Sequence, residues 1–218
     1  MPHDRVFEVE MEAPSGPYEK RMRRWEKPSA SRFITFSCYD RLPLLNNPLI
    51  MDLFVSQLVE ARRRHGLRLF AWVVMPEHVH LLVRAEGSAW SHVAQLLKTN
   101  VSKRVLARWR SLGEAGERIL TRVTVNGKQR FWQHGGGFDR TIRDAEEFCK
   151  TVRYIHMNPV ERKLVQRPAD WRWSSVRWWM RLPGEVECDP PPGELGWWEG
   201  WKGFVDAEHR AEDTIMKT

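Results

Sequence analysis

Residues 67–83 constrain the fold of this chain more than any other stretch. Leu67 to Met75 is the most hydrophobic run, Pro76 and Glu77 interrupt it, and His78, Val79, His80, Leu81, Leu82 and Val83 resume it. Both runs have strand length and the break is short, so the spacing predicts an antiparallel hairpin.

The flanking segments supply its companions. Arg32 to Cys38 is aromatic and β-branched and precedes a polar turn ending at Pro48, a favoured first-turn position of a helix. Ile50, Leu53, Phe54, Leu58 and Ala61 then fall at helical spacing, and the stripe ends in Arg62, Arg63, Arg64, His65 and Gly66. A second helix fits 89–109, with Val93, Leu97, Val101 and Val105 inward and Lys98, Lys103, Arg104 and Arg108 on the wet side. Residues 121–132 are the candidate for the last strand. A third helix is expected from about Thr141 to His156, stopping before Pro159. Strand, helix, strand, strand, helix, strand is the split βαβ, ferredoxin-like pattern: an α+β fold with an antiparallel sheet and helices on one face, here with a C-terminal extension.

Charge divides the chain further. It carries 35 Lys+Arg against 28 Asp+Glu, a formal +7. Residues 183–218 hold three basic and nine acidic residues, net −6, which leaves +13 on the first 182. That segregation predicts a polyanionic partner for the body. The organisation expected is an N-terminal arm over 1–31, a domain over 32–181, and an acidic tail or lid over 182–218. No stretch approaches the roughly 20 apolar residues of a spanning helix, so no membrane association is expected. Cys38, Cys149 and Cys188 are too scattered for a disulfide framework or a metal-binding pair, and a cytoplasmic location follows as the default.

Two constellations carry chemistry. In a strand, side chains alternate faces, so His78 and His80 leave the same side while Val79 goes to the other. Two such imidazoles can take adjacent positions on one divalent cation, although two histidines on a wet strand face would show the same spacing. Tyr154 lies near the end of the third helix with Asn158 at i+4, one turn on and on the same face. Phe148, Val152 and Ile155 form that helix's apolar stripe, which leaves Tyr154 off the core side. The chain has 12 Trp but only three Tyr; Tyr18 falls in the arm and Tyr39 in a turn.

Residues 73–83, Val-Val-Met-Pro-Glu-His-Val-His-Leu-Leu-Val, and residues 154–165, Tyr-Ile-His-Met-Asn-Pro-Val-Glu-Arg-Lys-Leu-Val, resemble the two signatures of the single-tyrosine HUH transposases, and in particular the REP-associated tyrosine transposases. Phe131-Trp132-Gln133, Phe138-Asp139-Arg140 and the stretch from Pro168 to Ser175 are similar to that family as well. Three departures stand out. Glu77 replaces the family's usual Asn, Glu161-Arg162-Lys163 replace Arg-Ala-Gly, and Gly135-Gly136-Gly137 occupy a loop that is often aromatic.

The resemblance implies a magnesium- or manganese-dependent cleavage of single-stranded DNA, with Tyr154 as nucleophile retaining a 5′-phosphotyrosyl link and His78, His80 and Asn158 as metal ligands. It implies hairpin or single-stranded DNA as partner, a bacterial, nucleoid-associated setting, and either a monomer or a homodimer. Phosphate contacts are expected from Lys98, Lys103, Arg104 and Arg108. Arg172 and Arg177 lie among Trp171, Trp173, Trp178 and Trp179, which could stack on unpaired bases or form a small core closing the sheet. Two other readings compete with a nicking and joining enzyme: a domesticated hairpin-binding protein that no longer cuts, and a metal hydrolase built on the histidine pair. The acidic tail is expected either to cover the basic groove and compete with DNA or to act as a solubility tail.

Overall fold

A computed structural model of the chain describes residues 30–85, 89–135, 137–184 and 186–193. All but the last two residues of the expected arm over 1–31, and most of the acidic tail, therefore lie outside the described residues.

The chain order is β1 (Arg32–Ser37), α1 (Pro48–His65), β2 (Arg68–Val74), β3 (His78–Arg84), α2 (Ala89–Arg110), α3 (Glu114–Arg122), a short hairpin of β4 (Thr124–Val125) and β5 (Lys128–Gln129), β6 (Phe138–Thr141), α4 (Ala145–Glu161) and α5 (Val176–Trp179). Four strands form one sheet in the order β2-β3-β1-β6, and each neighbouring pair is antiparallel. This is the ferredoxin-like arrangement that the sequence predicts. Local signals place the first helix: Asn47 caps it by accepting from the Leu49 N–H, Pro48 opens it, and Gly66, in the left-handed region, closes it.

Alternation along the strands builds two cores. Ile34, Phe36, Val79, Leu81 and Val83 pack with α1 and α2 on one face. Phe33, Leu82, Ala71, Val73 and Met75 pack on the other with Phe148, Val152 and Ile155 of α4 and Trp179 of α5. The helices inside the βαββαβ unit thus share one face, and α4, beyond it, covers the opposite one. The consequence for the site is direct. His78 and His80 point toward α4 and are only 5% and 4% exposed, so they line a covered face and not a wet one.

Two boundaries differ from the sequence reading. The fourth strand is Phe138–Thr141, which pairs with Arg32–Thr35. Residues 121–132 instead hold the end of α3 and the small hairpin, and meet the end of β1 through a Cys38–Trp132 bridge and a Phe36–Trp132 ring contact. Glycine explains the position of the strand. Gly137 has φ +73°, and a Cβ there would lie 2.0 Å from the Thr35 carbonyl oxygen, so β6 reaches its partner only through a residue without a side chain. The third helix also runs through Pro159 to Glu161. Only its last turn follows the proline, and that turn is closed by the Arg162 N–H donating to the Asn158 carbonyl at 3.0 Å and the Leu164 N–H to the Pro159 carbonyl at 2.9 Å.

The outer edge of β2 is covered by later chain. The Val74 N–H donates to the Trp173 carbonyl at 2.9 Å, the Ser175 N–H to the Trp72 carbonyl at 3.0 Å, and the Asp189 N–H to the Leu69 carbonyl at 2.7 Å. Such cover removes an unpaired edge that would otherwise recruit other chains.

Candidate DNA-processing site

A cleft of roughly 700 Å³ opens between α4 and the β1–β6 side of the sheet. Its lining includes His78, His80, Tyr154 and Asn158 together. Sheet alternation supplies the first two and helical i+4 spacing the last two, so the cleft exists because α4 docks its Phe148, Val152 and Ile155 stripe on the face that carries the histidines. The Tyr154 ring is 5.2 Å from the His80 ring, centroid to centroid, and its side chain is 43% exposed. The phenol is therefore placed where a substrate can reach it.

Hydrogen bonding fixes the protons on the imidazoles. His78 Nδ1 lies 3.1 Å from Glu77 Oε1. A carboxylate can only accept, so Nδ1–H donates and His78 Nε2 is left with a lone pair. That nitrogen is 2.9 Å from His80 Nε2, which must then donate, while His80 Nδ1 accepts from the Thr35 hydroxyl at 2.7 Å. Both imidazoles are held neutral. Burial lowers the pKa of His80 to about 3, with the neighbouring His78 and Arg41 adding to the effect. Burial also lowers that of His78 against the opposing pull of Glu77.

The donor set fits a magnesium or manganese ion. Neighbouring ligands on an octahedral ion with bonds of about 2.1 Å stand roughly 3 Å apart, close to the 2.9 Å between the two Nε2 atoms. Asn158 adds an amide, with Nδ2 3.4 Å from His80 Nε2 and Oδ1 buried without a partner. Amide oxygen and nitrogen are nearly isosteric, so a half-turn of the group directs the oxygen at the histidine pair. The carboxylate behind His78 completes a carboxylate–histidine arrangement of the kind that orients metal ligands.

The basic residues expected from sequence lie elsewhere. Lys98, Lys103, Arg104 and Arg108 belong to α2, which packs on the opposite face of the sheet, and none of them lines this cleft. Lys103, Arg104 and Arg108 are exposed, whereas Lys98 sits with its ammonium 5.7 Å from the Phe36 ring centroid in a second cleft of about 360 Å³. Arg172 pairs with Asp52 at 3.2 Å, and Arg177 donates to the Pro183 carbonyl at 2.7 Å. The tryptophans around them are anchored in the protein: Trp171 Nε1 donates to the Val74 carbonyl, Trp173 Nε1 to Asp52 and Trp179 Nε1 to the Phe70 carbonyl. They form the small core that closes the sheet.

Among the described residues, the cations that do line the cleft are Arg41, Arg140, Lys150 and Arg162, and sequence reasoning singles out none of them as a site residue. Arg140 and Arg162 stand inside or beside the family-like motifs, but nothing local distinguishes them from solvated charges. Arg162 lies 2.6 Å from Glu77 Oε1, so two of the three departures from the family pattern meet in one ion pair. The extra negative charge beside the histidines is matched by an extra positive one.

The IS200-like transposase family model matches residues 30–158, and the chain belongs to that family. A REP-associated tyrosine transposase of Escherichia coli (strain K12) is 25% identical over 119 residues, which are 54% of this chain and 59% of that protein. The alignment thus spans less than two thirds of the curated relative's length. A solved structure of a REP-associated tyrosine transposase bound to a REP hairpin has the same fold, with a TM-score of 0.55 at 22% identity over 73% of this chain and 84% of the other. Among the described residues, no helix is long and apolar enough to cross a membrane.

Proposed function

We propose that this protein nicks and rejoins single-stranded DNA beside hairpin, REP-type repeats, with Tyr154 as nucleophile and His78, His80 and Asn158 as ligands of a magnesium or manganese ion. The observation that carries the reading is the convergence of these four side chains on one solvent-open cleft. The solved relative is bound to a REP hairpin, which supports the choice of DNA.

The chemistry follows from the groups present. Tyr154 Oη attacks the phosphorus, the bond from phosphorus to the 3′-oxygen breaks, and a 5′-phosphotyrosyl link remains. The phenol's proton is balanced by the one that the departing 3′-hydroxyl acquires. A phenol is a poor nucleophile at neutral pH, and bound magnesium or manganese would supply a Lewis acid that polarises the scissile phosphate. His78 presents its Nε2 lone pair because Glu77 holds the proton on Nδ1. His80 can present Nε2 as well once its proton sits on Nδ1 and donates to Thr35 Oγ1. The phosphotyrosyl bond retains the energy of the ester, so attack by another 3′-hydroxyl rejoins DNA without ATP.

Covalent capture tests this. The protein is incubated with labelled hairpins made from the inverted repeats beside its own gene, each with a single-stranded flank, plus manganese, and is then denatured. A denaturant-resistant adduct is expected from the wild type and none from Tyr154→Phe, whose hairpin affinity should stay within a few fold. Binding without any adduct would leave a DNA-recognition protein in place of an enzyme.

A further inference from the structure

The segment after β1 has an unusual backbone. Asp40 and Arg41 are consecutive non-glycine residues in the left-handed region, with φ of 50° and 54°. Such a pair persists only where its surroundings impose it. Here the Tyr39 N–H donates to the Phe131 carbonyl at 2.9 Å, the Asp40 N–H to Gln133 Oε1 at 3.1 Å, the Arg41 N–H to the Cys38 carbonyl at 3.2 Å and the Leu42 N–H to the Tyr39 carbonyl at 3.0 Å. The product of this turn is the placement of Arg41 in the wall of the cleft that holds His78, His80, Tyr154 and Asn158.

Charge pairing singles the residue out. Of the four cations in the wall, Arg140 lies 3.1 Å from Glu147, Lys150 lies 2.6 Å from Glu146 and Arg162 lies 2.6 Å from Glu77. Arg41 has no carboxylate within ion-pair distance among the described residues. It stands close enough to the histidines for its charge to bear on both of them. An unpaired guanidinium is permanently charged and presents five N–H donors in a fork that matches two oxygens of one phosphate.

We infer that Arg41 is a catalytic residue that grips the non-bridging oxygens of the phosphodiester attacked by Tyr154. The inference rests on the nicking reading above and adds a protein cation to it. Charge builds on those oxygens as the tyrosine attacks, so a cation already in the wall of the cleft stabilises the transition state more than the bound strand. The left-handed turn fixes the backbone from which that donor reaches the cleft before substrate arrives.

The test uses the full chain and the hairpin on which the wild type forms an adduct, with the scissile phosphate located by sequencing the released strand. Arg41→Asn suits the purpose because asparagine tolerates the left-handed backbone and is uncharged. Adduct formation should slow by about 100-fold, the scale for loss of one preorganised donor. Arg41→Lys should recover part of that rate. Manganese affinity, read by electron paramagnetic resonance, should not fall, because Arg41 supplies no ligand and its charge opposes a cation beside the histidines, and the thermal midpoint should stay at its wild-type value. On hairpins carrying a neutral methylphosphonate at the scissile position, the Arg41→Asn penalty should shrink to a few fold for at least one diastereomer. A rate for Arg41→Asn within twofold of wild type overturns the inference and leaves the nicking activity standing, as does a penalty undiminished on both methylphosphonates. If the wild type forms no adduct, the nicking reading fails and the role of Arg41 fails with it.

Discussion

Glu77 Oε1 is shared between Arg162 Nη2, at 2.6 Å, and His78 Nδ1, at 3.1 Å. One oxygen thereby ties the end of α4 to the first histidine of β3 and settles which nitrogen of His78 is free. Glu77→Ala should weaken manganese binding by about 10- to 100-fold, the usual cost of losing such a partner behind a ligand. Arg162→Ala should cost less, since it leaves the carboxylate in place. Manganese titration by electron paramagnetic resonance checks both, and equal affinity in Glu77→Ala and wild type would show that the carboxylate does not orient the ring.

The histidine pair is covered by α4, so its removal is felt by the fold. His80→Ala opens space beneath Phe33, which stacks on the ring at 5.4 Å, and leaves the Thr35 hydroxyl without its partner. A destabilisation of about 1 kcal/mol is expected for the lost hydrogen bond alone, since Thr35 is half-buried and lines the cleft. Urea denaturation gives the number. A change below about 0.5 kcal/mol, the usual range for a surface substitution, would mean that the site is more open than the geometry shows.

The tryptophan cluster makes a prediction of the opposite kind. Trp179 is 6% exposed, and its indole N–H donates to the Phe70 carbonyl at 2.8 Å. Trp179→Phe removes that donor and part of the packing under α4, for about 1–3 kcal/mol of stability. Affinity for hairpin DNA, compared well below the melting temperature, should be unchanged. A loss of affinity with no loss of stability would return this tryptophan to the DNA-binding surface.

Acid should unfold the protein through its buried histidines. His156 is fully buried beside the Ser175 hydroxyl, 2.8 Å from Nε2, and burial lowers its pKa to about 3, as it does for His80. Both are neutral in the fold and bind protons near pH 6.5 once unfolded. The unfolded state therefore takes up more protons below that value, and stability falls as pH drops from about 6.5 toward 3. The slope reaches roughly 1.4 kcal/mol per pH unit for each such histidine. Above pH 7 these groups contribute no slope. Denaturant midpoints between pH 4 and 8 test the sign, and a flat curve across pH 4–6 would show that the imidazoles are not held neutral by burial.

Much of this protein is written in local pattern. The apolar runs over 67–83 and the helical stripes at 50–61 and 89–109 specify four elements, two strands and two helices, because each depends on neighbours within a turn or a strand step. The same locality puts His78 beside His80 and Tyr154 on one face with Asn158. Other features have no local signal. Phe138–Thr141 became the fourth strand because Gly137 lets the chain approach Thr35, far away in sequence. The histidines are buried because α4 docks over them, a choice of face that period-two alternation leaves open. Arg41 owes its place to hydrogen bonds with Phe131 and Gln133, and Glu77 meets Arg162 across 85 residues. Sequence periodicity records which side of its own element a residue occupies. Which other element lies on that side, and which charges are then left unpaired, is decided only when distant segments pack.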